Sequence, residues 1–94
     1  MRFEFDPIKS AKNARERGLP FAAAARMFDG VRLEWEDKRK DYGEIRTGTR
    51  GEIEGRIFLA TFTRRGDAIR IISFRSTRET KRYRLRERGS HDED

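Results

Sequence analysis

The first residues of the chain alternate between charged and aromatic side chains. Residues 2–5 read Arg-Phe-Glu-Phe, and this period of two is typical of a short strand. The strand should end at Asp6-Pro7, because proline favours the first turn of a helix and aspartate can cap it. A helix is therefore predicted from about Ile8, and Gly18 is placed to end it.

The next segment predicts a second short helix and two strands. One face of the helix collects four apolar residues, which are Phe21, Ala24, Ala25 and Phe28. After a turn at Asp29-Gly30, apolar residues 31, 33 and 35 alternate with charged ones, which predicts a strand. A further strand is predicted over residues 42–50, after a charged connection at 37–41.

A hairpin is the clearest predicted feature. Its arms are Arg56 to Thr63 and Ala68 to Arg75, and its tip is the segment Arg64-Arg65-Gly66-Asp67. Both arms carry apolar residues on both faces near their centres, whereas their ends are polar and basic. This pattern favours central strands of a sheet that is covered by helices.

The C-terminal residues predict a basic helix and an acidic tail. Ser76 precedes Glu79 at the spacing of a capping box, and a helix rich in Lys and Arg is predicted over residues 77–88. The alternative interpretation of these basic residues is an ordinary solvated helix face. Residues 89–94 are expected to be disordered. The chain is thus predicted to be one α+β domain over residues 1–88, with elements in the order βααββββα.

Composition restricts where chemistry can occur and with what partner. A chain of 94 residues, 34% hydrophobic and 43% charged, can build one small core, so a functional site should lie on an open face. Residues 64–88 hold ten Lys or Arg against three Asp or Glu, within a net charge of +6. Such a segment favours phosphate backbones, so RNA, DNA and anionic membranes are candidate partners.

Several classes of site and location are disfavoured by the same residues. No apolar run approaches the ~20 residues of a membrane span and no signal peptide precedes Phe3, so we expect a cytoplasmic protein that does not bind membranes. The chain has no cysteine, and its one histidine, His91, lies in the polar tail. A metal site would need carboxylates alone, and we expect neither metal nor cofactor.

Motifs along residues 2–84 resemble those of the BrnT family. They comprise the opening Phe3 to Pro7 with Lys9 and Asn13, Gly18 with Phe21 and Ala24, Asp41 to Glu44 with Arg46, and Arg70 to Arg75 with Glu79 and Tyr83. The Arg-Ile-Ile-Ser-x-Arg segment within the last group is the most specific.

The resemblance implies a fold, an activity and a partner. BrnT proteins are similar to RelE-type toxins in fold, with an antiparallel sheet packed by helices. They act as metal-independent endoribonucleases that inhibit translation. A BrnA-like antitoxin neutralises them in a hetero-oligomer, and the antitoxin supplies the contact with operator DNA.

Arginines on the predicted hairpin are the first candidates for catalysis. Cleaving RNA without metal requires a base for the 2′-hydroxyl, charge stabilisation at the phosphorane and an acid for the leaving oxygen. Arg65, Arg70 and Arg75 are candidate phosphate clamps, because a guanidinium forks onto two phosphate oxygens. Regular alternation would place Arg70 and Arg75 on opposite faces of the sheet.

Each arginine also has a structural interpretation. Arg70 or Arg75 would pair with Glu44 across the sheet or hold the last helix. Arg65 would be an ordinary turn residue, although the resemblance aligns it with an arginine implicated in toxicity. A position at the hairpin tip favours the functional interpretation for Arg65.

Other side chains have two interpretations each. Glu44 is a candidate general base, and Tyr42 either transfers a proton, stacks on a base or is a half-buried aromatic. Trp35 either stacks on a nucleotide or belongs to the core. The basic residues expected to contact RNA are Lys9, Arg46, Arg64, Arg78, Lys81 and Arg82. Lys9 has a second interpretation, in which it only faces solvent on the first helix.

The chain departs from the family pattern at two places. Glu16-Arg17 stands where family members commonly carry Lys-His, and Phe62 stands where they often carry His or Tyr. If the latter is a proton shuttle, Phe62→His should increase cleavage.

The alternative function is an RNA- or partner-binding module that has lost catalysis. A DNA-binding regulator is disfavoured, because no helix-turn-helix spacing is evident.

Overall fold

The computed structural model describes residues 1–76. The predicted helix at 77–88 and the predicted tail at 89–94 lie outside the described residues, as do Arg78, Lys81 and Arg82. The strands are β1 (Arg2–Phe5), β2 (Arg32–Glu36), β3 (Thr47–Ile53), β4 (Arg56–Arg65) and β5 (Ala68–Ser76), and the helices are α1 (Pro7–Arg17) and a 3₁₀ helix (Phe21–Asp29).

The predicted ends of α1 are confirmed. The Asp6 side chain accepts a hydrogen bond of 2.9 Å from the Ile8 N–H, and Pro7 occupies the first turn. Gly18 ends the helix with φ +72°, and its N–H donates to the Ala14 carbonyl. The left-handed conformation is one that glycine adopts without steric cost.

The second predicted helix is present, but its buried face differs from the prediction. It is a 3₁₀ helix, and Phe21, Ala24 and Met27 are its buried residues. Three residues per turn align every third side chain, so Met27 replaces the predicted Ala25 in the core. Phe28 is half-buried and meets Phe62 edge to face, with ring centroids 5.2 Å apart.

The five strands form one sheet in the order β1-β5-β4-β3-β2. The α+β class is confirmed, but the prediction of an antiparallel sheet is wrong in one respect, since β1 pairs parallel to β5. No hairpin connects these two strands; the long intervening chain serves as the crossover that a parallel pair needs. The RelE-like arrangement stays a prediction.

The strand predicted over residues 42–50 is displaced along the chain. It runs as β3 from Thr47 to Ile53, and residues 37–46 form a loop. The turn from β3 to β4 is Glu54-Gly55, with φ values of +51° and +80°. Two positive φ angles are the signature of a type I′ hairpin turn, which explains why the strand continues to Ile53.

A bulge in β5 overturns the expectation about Arg70 and Arg75. Thr61 pairs with Ser73 but Phe62 pairs with Ile71, so Ile72 is skipped in the register. The extra residue reverses the alternation beyond it. Arg70 and Arg75 therefore share one face of the sheet, although five positions separate them.

Both described helices pack on the other face of the sheet, called here the helix face. Its core includes Phe58, Phe62 and Phe74 of the sheet together with Phe21 and Met27 of the 3₁₀ helix. Register and alternation place Trp35, Gly48, Thr61, Thr63, Arg65, Arg70 and Arg75 on the opposite side, called here the second face. Candidate catalytic residues thus lie away from the core.

Phe62 occupies a position where no substrate can reach it. Its exposed fraction is 0%, and it packs in the aromatic core against Phe28. A histidine there would lie among aromatic side chains and beside the Arg64 guanidinium, which cannot accept a hydrogen bond. Burial of this side chain disfavours a role for position 62 as a proton shuttle in this chain.

Phe62→His should instead destabilise the fold. A buried polar group without a hydrogen-bond partner costs roughly 1–3 kcal/mol, in addition to the lost aromatic packing. We expect a lower free energy of unfolding in denaturant titrations, and no gain in cleavage per folded molecule. Phe62→Leu, which stays apolar, is the control and should lose less stability; a histidine variant as stable as wild type would contradict the burial.

Candidate nucleic-acid interface

The loop at residues 37–46 is closed at its base by backbone and side-chain contacts. The Asp37 N–H donates to the Arg46 carbonyl at 2.7 Å, directly after the last register pair of β2 and β3. The Arg39 guanidinium forks onto the Asp37 carboxylate, with Nε to Oδ1 and NH2 to Oδ2 both 2.8 Å. These contacts give a charged segment a defined path.

Asp37 remains ionised in this arrangement. The two hydrogen bonds and the positive charge of Arg39 hold the pKa of Asp37 far below its ordinary value, and the Tyr42 hydroxyl adds a longer hydrogen bond of 3.3 Å to Oδ2. Sequence reasoning missed Asp37, because a carboxylate in a run of charged residues resembles a solvated connection. Its position immediately after a strand was the available signal.

Three of the predicted site residues meet at the open end of this loop. The Glu44 carboxylate lies between two guanidiniums, 3.3 Å from Arg46 Nε and 3.5 Å from Arg65 NH2. Thr63 fastens the loop to β4, because its hydroxyl donates to the Ile45 carbonyl at 2.8 Å. We call Glu44, Arg46 and Arg65 the arginine–glutamate cluster.

Tyr42 supports the cluster from one side. The Arg46 guanidinium lies 4.1 Å from the centre of its ring, within the range of a cation–π interaction. The tyrosine is half-buried, as one of its interpretations has it, and its hydroxyl is directed to Asp37. The ring therefore orients Arg46, and the ring face that Arg46 covers is not open to a stacked base.

Arg65 has the exposure that a substrate contact requires. It is the last residue of β4, just before the turn at Gly66-Asp67, and its side chain is 54% exposed. An ion pair so open to solvent contributes about 1 kcal/mol or less to stability. Arg65 can thus bind a phosphate in place of the Glu44 carboxylate, or together with it, while the fold is retained.

Arg70 lies beside the cluster but pairs with a different carboxylate. It is opposite Thr63 in the register, and its NH1 is 3.6 Å from Glu4 Oε1 of β1. The expected pairing of Arg70 with Glu44 is wrong, because Arg65 holds that position. Glu4 entered the prediction only as part of a strand, and the parallel pairing of β1 with β5 gives it this role.

Arg75 and Lys9 belong to another part of the molecule. Arg75 lies roughly 15 Å from Arg70 along β5, at the opposite end of the sheet. It borders an open groove of about 270 Å³ between α1 and β5 whose basic residues are Lys9, Lys12, Arg17 and Arg75. Glu16 also lines this groove, so both departures at Glu16-Arg17 fall there, away from the arginine–glutamate cluster.

Arg64 lies on the helix face, although it neighbours Arg65 in sequence. Its guanidinium is 5.0 Å from the centre of the Phe62 ring, and its NH2 is 3.6 Å from Glu34 Oε1. Alternation along β4 separates the two arginines. Arg64 is therefore not part of the cluster.

Trp35 is exposed, so the core interpretation of this residue is wrong. It is 44% exposed on β2, and its indole occupies the space above Gly48 of β3. A Cβ at position 48 would lie 2.5 Å from the indole Cε2 and Nε1 atoms. Gly48 is the residue that makes room for the indole, but the sequence alone does not show that residues 35 and 48 are paired.

Two kinds of feature are absent from residues 1–76. No helix in this part of the chain has the length and apolarity to cross a membrane. The same residues contain no group of three or more His, Cys, Asp or Glu side chains placed to hold a metal ion.

The cluster holds two guanidiniums, a group that can bind phosphates. Two guanidiniums converge on one carboxylate, and the more exposed of them, Arg65, lies at the edge of the second face. Guanidiniums fixed in this manner can stabilise charge that develops on a phosphorane. The geometry thus fits a phosphodiester substrate better than a neutral one.

Two comparisons with known proteins bear on the family of this chain. No curated protein matches the chain. The family described as "Ribonuclease toxin, BrnT, of type II toxin-antitoxin system" matches residues 5–81. Because this match covers most of the 94 residues, the protein belongs to the BrnT family of ribonuclease toxins, whose description implies an RNA target and an antitoxin partner.

Proposed function

We propose that this protein is a metal-independent endoribonuclease toxin that cleaves RNA and inhibits translation until its antitoxin binds. The observation that carries the proposal is the arginine–glutamate cluster at the exposed end of β4, in a chain of the BrnT family. The Glu44 carboxylate, a candidate base, lies 3.3 Å from Arg46 and 3.5 Å from Arg65, and guanidiniums are groups that bind phosphate.

Arg65 is the residue proposed to stabilise the transition state. Attack of the ribose 2′-oxygen on the adjacent phosphorus puts additional negative charge on the non-bridging oxygens. The bond from phosphorus to the 5′-oxygen then breaks, and the 5′-oxygen takes a proton from water, which reaches this exposed site. Arg65 can fork onto those oxygens, while Glu44 holds the guanidinium in place beforehand. Pre-organised cations of this kind act without the cost of reorganising water.

Glu44 is proposed as the general base, with Tyr42 as a secondary candidate for proton transfer. When a phosphate replaces Glu44 as the partner of Arg65, one carboxylate oxygen becomes available for the 2′-hydroxyl proton. Arg46 retains its hold on the other carboxylate oxygen, Oε2. Tyr42 has its hydroxyl on Asp37, so its contribution would require that hydrogen bond to break.

Other basic residues are proposed to hold the RNA strand beyond the scissile phosphate. Arg70 lies beside the cluster, and Lys9 and Arg75 border the groove at the far end of β5. Arg78, Lys81 and Arg82, which lie outside the described residues, stay proposed contacts of the RNA. Counterion release from several phosphates would make the binding strongly dependent on salt.

The proposed partner is a BrnA-like antitoxin that covers the basic surface in the cytoplasm. Covering Arg65 would block access to the scissile phosphate, which accounts for neutralisation without a change in the toxin's fold. The hetero-oligomer would contact operator DNA through the antitoxin.

A binding module without catalysis is the second candidate. One observation favours it: both arginines of the cluster occupy the Glu44 carboxylate, so the only candidate base there is engaged in ion pairs. In that case the same surface would bind RNA or an acidic partner without turnover. The variants described next separate the two functions.

Arg65→Ala should abolish cleavage while leaving the fold intact. Loss of one pre-organised donor typically lowers kcat by about 100- to 1000-fold. Arg64→Ala is the matched control, because it removes the same charge from a side chain of similar exposure, 57% against 54%, on the helix face. Cleavage of a generic RNA and thermal unfolding measure both effects; equal losses of cleavage in the two variants would contradict the assignment.

Glu44→Gln tests the general base. If Glu44 accepts the proton, the variant should retain RNA binding and lose most cleavage. Glutamine keeps a hydrogen-bond acceptor for Arg65, so a purely orienting role predicts a much smaller loss of cleavage. The second result would show that Glu44 positions Arg65 and that another group is the base.

A further inference from the structure

Trp35 is an exposed aromatic residue that the proposed reaction does not use. It is the only tryptophan of the chain, and 44% of its surface is accessible on the edge strand β2. Burial of an indole is normally favourable, so a tryptophan that stays exposed is a candidate contact for another molecule. The sheet provides a space for the ring over Gly48 instead of covering it.

The indole lies on the same face of the sheet as the arginine–glutamate cluster. Trp35 pairs with Gly48, and Gly48 pairs with Thr61 of β4. Arg46 is the last residue of the loop, two residues before Gly48, so it begins about 7 Å from the row that holds the indole. Arg65 is four residues beyond Thr61, which is about 13 Å along β4.

The row beside the indole is built from small side chains. Gly48, Thr61 and Ser73 follow Trp35 across the strands, and none of them is larger than threonine. Thr61 and Ser73 also present hydroxyl groups on this face, which can donate or accept hydrogen bonds. A flat polar ring placed next to the indole would therefore meet little steric obstruction and would find hydrogen-bonding partners.

These observations favour a nucleobase over other occupants of the site. An unpaired base has a π-face that stacks on an indole and polar edges that bind hydroxyl groups. Arg46 and Arg65 of the cluster lie toward one end of the strands from Trp35, so a phosphate backbone can lead from a stacked base to the cluster. An apolar peptide would match the indole but neither the hydroxyl row nor the arginines.

We propose that Trp35 is the stacking platform for an unpaired base of the RNA substrate, a few nucleotides from the phosphate held by Arg65. The inference rests on the proposed function and specifies it further, since the toxin would act on single-stranded RNA. At about 3.4 Å per stacked nucleotide, the 13 Å from the indole row to Arg65 corresponds to roughly four nucleotides.

Trp35 itself reports the test, because it is the only indole in the chain. The full chain is titrated with a short single-stranded RNA carrying 2′-O-methyl groups, which binds without being cleaved. We expect quenching of the indole fluorescence that saturates with RNA binding. The same sequence as a duplex should bind through its phosphates and leave the fluorescence nearly unchanged.

Variants at one strand provide the second measurement. Trp35→Ala should weaken binding of the single strand by about 5- to 150-fold, the cost of one lost stacking contact, and Trp35→Phe should retain most of the affinity. Leu33→Ala is the matched control, because Leu33 lies on the same face of β2 and is 48% exposed. Its affinity should change less than twofold.

The outcomes separate this inference from the function on which it rests. Salt-sensitive RNA binding with unchanged fluorescence, or equal quenching by duplex RNA, would overturn the platform and leave the ribonuclease proposal standing. A fluorescence change that depends on protein concentration without RNA would assign Trp35 to a protein contact and overturn the platform as well. Absence of any RNA binding would overturn both proposals.

Discussion

Alternation along β4 is the constraint on which the rest of the structure depends. Phe58, Ala60 and Phe62 must face the helices to complete a core in a chain that is only 34% hydrophobic. Thr61, Thr63 and Arg65 are then directed to the second face. The same alternation that buries the family's expected proton shuttle at Phe62 exposes Arg65 three residues later, so core and site are fixed together.

The site is held by the loop at 37–46 more than by its own ion pairs. Glu44 and Arg65 are accessible to solvent, and such pairs add little to stability. The loop, by contrast, is closed by Asp37 and fastened to β4 by Thr63, both nearly buried. A partner that binds phosphate-like groups can thus displace the Glu44–Arg65 contact while the scaffold remains in place.

Local signals in the sequence predicted the parts of this fold that depend on neighbouring residues. The cap at Asp6, the glycine at position 18 and the central hairpin follow from short patterns, and Arg65 stood out by its place at the hairpin end. Features that depend on pairing between distant strands escaped prediction. The bulge at Ile72, the parallel β1 and the space that Gly48 leaves for Trp35 each require a register that no local pattern specifies.

Cleavage of RNA by attack of its 2′-hydroxyl leaves characteristic ends on the products, and these ends distinguish the proposed mechanism from a metal-dependent one. Purified protein is incubated with RNA in excess EDTA, and the termini of the fragments are identified by mass spectrometry. We expect 2′,3′-cyclic phosphate or 3′-phosphate ends together with 5′-hydroxyl ends, from wild type and not from Arg65→Ala. Fragments with 5′-phosphate ends, or cleavage that EDTA abolishes, would contradict the proposed mechanism.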